Sequence, residues 1–341
     1  MATRLAILCP GQGTQHKEMF ETAFREEATA ERVHGWIAHA LPGVSLDRVL
    51  ADPTFLFANA LAQPLITAAT LASWEMIQPH LPSPSLVAGY SVGEIAACAV
   101  AGALPSSDAV RLAALRGQMM QACADPGTHA TGTTIPQPGA NAGDGGNSVL
   151  EMAHDTRGAT QAMLSVGGLP LGITETLARQ YNLFIAIETG DDTCIVGGLR
   201  RQAVLLDEQA RRQGARTGFL PIGIASHTPL MAPAVPGFQD VLSRIPLTDP
   251  VLPLLAGVSA EVIGTAAGIR HTLPLQLNNR IHWAGCMDAC AERGITVALE
   301  LGPGSALSRM MQARHPQIET RSVADFRTLA GIRRWIDQRC F

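Results

Sequence analysis

The chain has 341 residues, of which 47% are hydrophobic and 16% charged, and its 29 acidic and 25 basic side chains leave a formal net charge of −4. That length accommodates one large α/β domain with an insertion, or two domains. No basic tract with interleaved aromatics is present, so nucleic acid is not an expected partner, and no apolar run is long enough to span a bilayer, so the chain reads as soluble.

Arg4 to Leu8 reads as a buried strand, and the apolar run there is too short for a signal-peptide core, so no export signal is expected. It leads into Pro10-Gly11-Gln12-Gly13-Thr14-Gln15, a glycine-rich turn at the carboxyl end of the strand, where open parallel sheets bind ligands. The Lys-Ser/Thr ending of a phosphate loop is missing. Gln12 therefore belongs either to a catalytic loop or to an ordinary turn. Lys17 is the single lysine, which argues against Schiff-base chemistry and leaves anion recognition to arginines or backbone amides. Helical patterns cover Glu18 to about Leu41 and Asn59 to about His80, the second closed by Pro79 and Pro82.

The apolar run Ser85-Leu86-Val87-Ala88 precedes Gly89-Tyr90-Ser91-Val92-Gly93-Glu94, which runs on into the small-residue helix beginning at Ile95. Strand, sharp turn and helix are the context of a nucleophile elbow. Its glycines permit the tight path and leave the Ser91 hydroxyl at a helix N-terminus, whose free amides can stabilise an oxyanion. The alternative is a glycine-rich βα turn in which Ser91 only caps the helix.

The next predicted helix, Ala109 to about Cys123, carries Arg116 among Leu112, Ala113, Leu115, Met119 and Met120. An arginine in that setting either snorkels to the surface or pairs with an anion. Between Ala124 and about Thr160 the composition shifts to Gly, Thr, Pro, Asn and Asp, the pattern of a long mobile loop. Beyond it the order strand (Ala162 to Val166), helix (about Gly172 to Gln180), strand (Leu183 to Ile187), strand (Cys194 to Gly197), helix (Arg200 to about Gln213) and strand (Arg216 to Ile224) is the split βαβ of a ferredoxin-like subdomain.

His227 lies in Ala225-Ser226-His227-Thr228-Pro229, between a strand and a new helix, where it either reaches a neighbouring site or satisfies a local hydrogen bond. A helix (about Ala234 to Arg244), a strand near Leu252 to Val258, a helix (around Ala284 to Arg293), a strand (Thr296 to Leu301), the turn Gly302-Pro303-Gly304 and two closing helices complete the chain. Seven cysteines with no C-x-x-C pair fit a reducing cytoplasm. Cys286 and Cys290 lack partners at metal spacing and read as core residues, so no metal site is expected.

Six motifs occur in the order found in the malonyl-CoA:acyl-carrier-protein transacylase family, and the chain resembles that family along nearly its whole length. They are Pro10-Gly11-Gln12-Gly13-Thr14-Gln15, Gly89-Tyr90-Ser91-Val92-Gly93-Glu94, Leu115-Arg116-Gly117 with Met120, Ser226-His227 with Met231, Gln276-Leu277-Asn278-Asn279 and Glu300-Leu301-Gly302-Pro303-Gly304. The resemblance implies an α/β-hydrolase-like core (1–160 and 225–341, with the 124–160 loop) and an inserted ferredoxin-like subdomain (161–224). It implies Ser91 as the acylated nucleophile, His227 as its general base, the Gln12 and Val92 amides as an oxyanion hole, Arg116 as the clamp on the malonyl carboxylate and the Gln276 backbone as the group orienting the histidine. Malonyl-CoA would be the substrate, an acyl-carrier protein the acceptor, and no cofactor would be bound permanently.

Two departures refine the expectation. Tyr90 replaces the histidine usual in the fatty-acid enzymes, and together with Asn59-Ala60-Leu61-Ala62-Gln63-Pro64-Leu65-Ile66 it resembles the malonyl transferase (epsilon) subunit of malonate decarboxylase, whose partners would be a carrier subunit and the other decarboxylase subunits. Glu188 stands in a turn where the family often has asparagine, and an inward carboxylate there would repel malonate. A transferase of fatty-acid or polyketide synthesis, a serine hydrolase and a catalytically inert scaffold are the alternatives.

Overall fold

The computed structural model describes residues 3–124 and 160–340, so the stretch read as a long loop lies, from 125 to 159, outside the described residues. The described strands are β1 (Leu5–Cys9), β2 (Leu86–Gly89), β3 (Gln161–Gly167), β4 (Phe184–Glu188), β5 (Thr193–Leu199), β6 (Arg216–Phe219), β7 (Leu254–Leu255), β8 (Val262–Ile263), β9 (Ile281–His282), β10 (Val297–Glu300) and β11 (Glu319–Ser322). They form a six-stranded sheet in the order β11-β10-β1-β2-β7-β8 and a five-stranded sheet in the order β6-β3-β5-β4-β9.

The first sheet is parallel from β11 through β7 and ends in the antiparallel β7/β8 pair. Every residue of β1 and β2 is buried, as a parallel sheet covered on both faces requires. Alternation along β1 divides two cores. Leu5, Ile7 and Cys9 face helices Asn59–Ile77, Gly93–Val100 and Ser106–Ala124, while Ala6 and Leu8 share a cluster with helix Trp283–Glu292 and with Met163, Ala186, Ile187 and Ile195 of the second sheet. The second sheet therefore lies against one face of the first. Its first four strands run β6-β3-β5-β4 with antiparallel β3/β6, β3/β5 and β4/β5 pairs, the split βαβ order read from the sequence, and helices Leu171–Gln180 and Arg200–Arg212 cover a third core. Strand β9 adds parallel to β4 from the far side of the chain.

Several element boundaries differ from those expected. The helix expected over Glu18 to Leu41 is broken at Arg25-Glu26 into Glu21–Phe24 and Glu27–Ala40, with Glu26 in an extended conformation. Short helices at Leu46–Ala51 and Pro53–Phe57 begin at Ser45 and Asp52, whose side chains accept from Arg48 and Thr54 amides. The strand expected to reach Ile224 stops at Phe219 because Pro221 has no amide to donate. The strand expected over Leu252 to Val258 shrinks to β7, and the Gly257 amide is instead committed to the Glu94 carboxylate at 3.0 Å. Helix Ala266–Leu275, capped by the Thr265 side chain, and strands β8, β9 and β11 have no counterpart in the sequence reading.

Candidate active site

The elbow is built by close backbone approach. Strand β2 ends at Gly89, and helix Gly93–Val100 starts four residues later. A Cβ on Gly89 would lie 2.3 Å from the Glu94 backbone, and one on Gly93 would lie 2.1 Å from the Cys9 carbonyl oxygen, so neither position accommodates a side chain. Between them Ser91 takes a φ of 56°, the left-handed conformation that pushes a serine out of the turn. The Tyr90 amide donates to Cys9 O at 2.9 Å and the Glu94 amide to Ser91 O at 3.0 Å, which hold the turn closed.

Ser91 Oγ lies 2.8 Å from His227 Nε2. The other ring nitrogen, Nδ1, donates to the Gln276 carbonyl oxygen at 2.5 Å, which leaves Nε2 as the acceptor for the serine proton. His227 is itself in a left-handed conformation, with a φ of 60°, fixed by its amide bond to Leu277 O at 2.9 Å. Burial and the nearby Arg116 guanidinium lower its pKa to about 3 against the partial support of the Gln276 carbonyl, so the imidazole is neutral at neutral pH.

Arg116 does not snorkel: it is 1% exposed. Gly117 brings helix Ser106–Ala124 against helix Asn59–Ile77, since a Cβ there would sit 2.5 Å from Asn59 O. That contact sets Arg116 beside Gln63, whose Oε1 accepts at 2.7 Å, while Gln276 Oε1 accepts from the other terminal nitrogen at 2.9 Å. Arg116 Nε has no partner among the described residues, a buried donor left open to an acceptor from outside the chain.

The Gln12 turn packs on the elbow, with the Gly11 Cβ position 2.7 Å from Tyr90 O and 3.5 Å from the Ser91 Cβ. Gln12 Nε2 donates to Asn59 Oδ1 at 3.0 Å, and Asn59 in turn donates to Gln121 at 2.9 Å. From the other side Thr14 Oγ1 donates to Pro303 O at 2.7 Å, so the Gly302-Pro303-Gly304 turn braces the same loop. The backbone amides of Gln12 and Val92 donate to no other group among the described residues. Val92 begins the helix turn, where amides are free by geometry.

Tertiary packing therefore brings Ser91, His227, Gln276 and Arg116 into one bonded group and sets the Gln12 loop against it. Two contributors had no role in the sequence reading. Gln63 is the only polar side chain of the run Ala60 to Ile66, and Glu94 is a buried carboxyl in an apolar helix; a lone polar residue in such a run is the signal that marks both. Glu188 bonds Arg280 at 2.7 Å and His282 at 2.8 Å, so its charge is answered at the β4/β9 edge. Tyr90 packs edge-on against Trp283, with ring centroids 5.3 Å apart.

A serine paired with a neutral histidine, free amides beside it and a buried guanidinium are the parts of acyl transfer to and from a serine ester. Comparison with known proteins agrees. Residues 7–154 match the acyl transferase domain family. The chain is 29% identical over 339 residues to the malonyl CoA-acyl carrier protein transacylase of Mycobacterium tuberculosis, covering 96% of this chain and 100% of that one. Its counterpart in Bacillus subtilis is 25% identical, with 96% and 95% covered. A crystal structure of the malonyl-CoA:acyl carrier protein transacylase from Xanthomonas oryzae superposes with a TM-score of 0.82 at 25% identity, with both chains fully covered. Fold, site and likeness define an acyltransferase. Within that class the chain is similar to the malonyl-CoA:acyl-carrier-protein transacylases over nearly its whole length.

Proposed function

We propose that this enzyme transfers a malonyl group from malonyl-CoA to the thiol of an acyl-carrier prosthetic arm, through an ester on Ser91. The observation that carries the reading is the bonded group Ser91–His227–Gln276 with Arg116 held against it through the same glutamine.

In the first half-reaction His227 Nε2 takes the Ser91 proton as Oγ attacks the thioester carbonyl. The imidazolium is stabilised through Nδ1 by the Gln276 carbonyl, which takes the place of the acid in a three-residue triad. The Gln12 and Val92 amides receive the oxyanion. Collapse returns the proton to the departing CoA thiolate and leaves malonyl-Ser91. The carrier thiol then repeats the steps in reverse order, giving its proton to His227 and taking the acyl group. Arg116 selects the substrate: a charge-assisted bond to the malonyl carboxylate contributes roughly 1.5 to 3 kcal/mol that an acetyl group cannot supply.

For the acceptor we infer the carrier subunit of malonate decarboxylase. Support comes from Tyr90 in the elbow and the Asn59 to Ile66 run, while the likeness to malonyl CoA-acyl carrier protein transacylases supports the donor and the carrier class. Intact-protein mass spectrometry after brief exposure to malonyl-CoA, with acetyl-CoA as control, tests the donor. Subsequent addition of a phosphopantetheine carrier and of the decarboxylase carrier tests the acceptor. A malonyl adduct that moves to the decarboxylase carrier is expected. Movement to the other carrier alone assigns the enzyme to fatty-acid or polyketide synthesis, and loss of the adduct to water with neither carrier loaded makes it a hydrolase.

A further inference from the structure

Two buried charges of opposite sign lie in this site with one amide between them. Arg116 and Glu94 are each 1% exposed. Gln276 Oε1 accepts from Arg116 at 2.9 Å, and Gln276 Nε2 donates to Glu94 Oε2 at 2.6 Å and to Ser91 O at 3.0 Å. The Gly257 amide donates to the same Glu94 oxygen at 3.0 Å. A carboxylate needs a donor and a guanidinium an acceptor, so these two charges fix which way the Gln276 amide points.

Among the described residues, Arg116 is the one charge acting on Glu94. The other titratable groups around Glu94 are the Cys98 thiol on its own helix and the Cys286 thiol from helix Trp283–Glu292, both kept neutral by burial. His227, across Gln276, is neutral as well. With Glu94 ionised, these groups amount to one cation and one anion. A carboxylate placed on Arg116 adds a second anion that one guanidinium cannot balance away from water, and two carboxylates sharing such a site do not both stay ionised.

We propose that Glu94 is a specificity-determining residue that takes up one proton when a carboxylate-bearing acyl group settles on Arg116, so that malonyl loading is coupled to proton uptake and acetyl loading is not. This rests on Arg116 as the carboxylate clamp. Glu94 Oε2 keeps its two donors and the proton, drawn from solvent, goes to Oε1, so the loaded site again holds one cation and one anion. Burial, opposed by the Gln276 and Gly257 bonds, already raises the Glu94 carboxyl to about 7, which makes the proton available near neutrality. Above that pH the ionised Glu94 opposes malonyl and leaves acetyl untouched.

The test is acyl-enzyme formation with malonyl-CoA and acetyl-CoA at pH 6.5, 7.5 and 8.5 for the wild type, Glu94→Gln and Arg116→Ala, together with proton uptake in weakly buffered dye solution. The malonyl-to-acetyl ratio cancels the titration of the serine–histidine pair. In the wild type that ratio should fall with rising pH by up to about tenfold per unit. In Glu94→Gln, which keeps the shape and the Oε acceptor, the ratio should be flat and the malonyl-specific proton uptake absent. The same slope in both proteins, or no malonyl-specific uptake by the wild type, overturns the proposal; the second measurement needs no variant and decides the matter if Glu94→Gln does not fold. If Arg116→Ala retains the full malonyl preference, the clamp reading has failed instead.

Discussion

Ser91 and His227, joined Oγ to Nε2 at 2.8 Å, are also two of the four non-glycine residues with positive φ among the described residues, at 56° and 60°. Each such backbone costs on the order of 1 to 2 kcal/mol and persists only where its surroundings over-determine it. Here the determinants are the elbow glycines on one side and the His227 amide bond to Leu277 on the other. The strain falls on the two residues whose side chains must project toward each other.

Ser91→Ala should abolish the acyl adduct altogether, since no other hydroxyl among the described residues bonds His227 Nε2. His227→Ala should leave the serine without a base and slow acylation by about 10²- to 10⁴-fold. Intact mass after incubation with malonyl-CoA checks both, and a surviving adduct at another position would remove Ser91 from its role.

Arg116→Ala should reduce malonyl transfer by roughly 10- to 150-fold, the equivalent of the 1.5 to 3 kcal/mol of a charge-assisted bond, while acetyl transfer changes little. Steady-state kcat/KM with both donors reads the split. Equal losses on the two would mean that Arg116 only supports the fold through Gln63 and Gln276.

With its pKa lowered to about 3, His227 should remain a competent base in mildly acidic solution. Acylation by acetyl-CoA, followed by CoA thiol release from pH 7.5 to 5, should lose less than about threefold. A histidine titrating at the ordinary 6.5 would lose about 30-fold by pH 5.

Glu300 offers a stability test away from the serine. Burial raises its carboxyl from 4.5 to about 7, against bonds from the Ser308 and Leu307 amides and the Ser308 hydroxyl. A raised carboxyl binds its proton more tightly in the folded state, so its contribution is full below about 4.5 and is lost as pH rises through about 7. The Tm advantage of the wild type over Glu300→Gln should therefore shrink between pH 5 and pH 8, and thermal melts at the two pH values measure it.

Glycine substitutions should separate the elbow from ordinary helix. Gly93→Ala places a Cβ 2.1 Å from Cys9 O and should prevent stable folding. Gly35→Ala, within helix Glu27–Ala40 and with open space around the added carbon, should stabilise by roughly 0.5 to 1 kcal/mol. Soluble yield and chemical denaturation distinguish the two.

Local chemistry determined much of this protein. Gly89 and Gly93 around Ser91 announced a turn that only small residues can make, the apolar strands β1 and β2 announced a sheet buried on both faces, and the βαββαβ order announced the second sheet. Long-range packing decided the rest. Arg116 could be read either as a snorkelling or as an anion-binding residue until Gly117 was seen to bring its helix against Asn59, because burial is a property of the neighbours and not of the residue. The reason the strand expected over Leu252 to Val258 is cut short at β7 was hidden, because the Gly257 amide is claimed by Glu94, 163 residues away. Strand β9 was equally hidden, since two residues are too few to show a period and take their extended form from β4. Gln276 shows the division most clearly: the motif resemblance implied a role for its backbone beside His227, and only the fold shows that its side chain joins Ser91, Glu94 and Arg116.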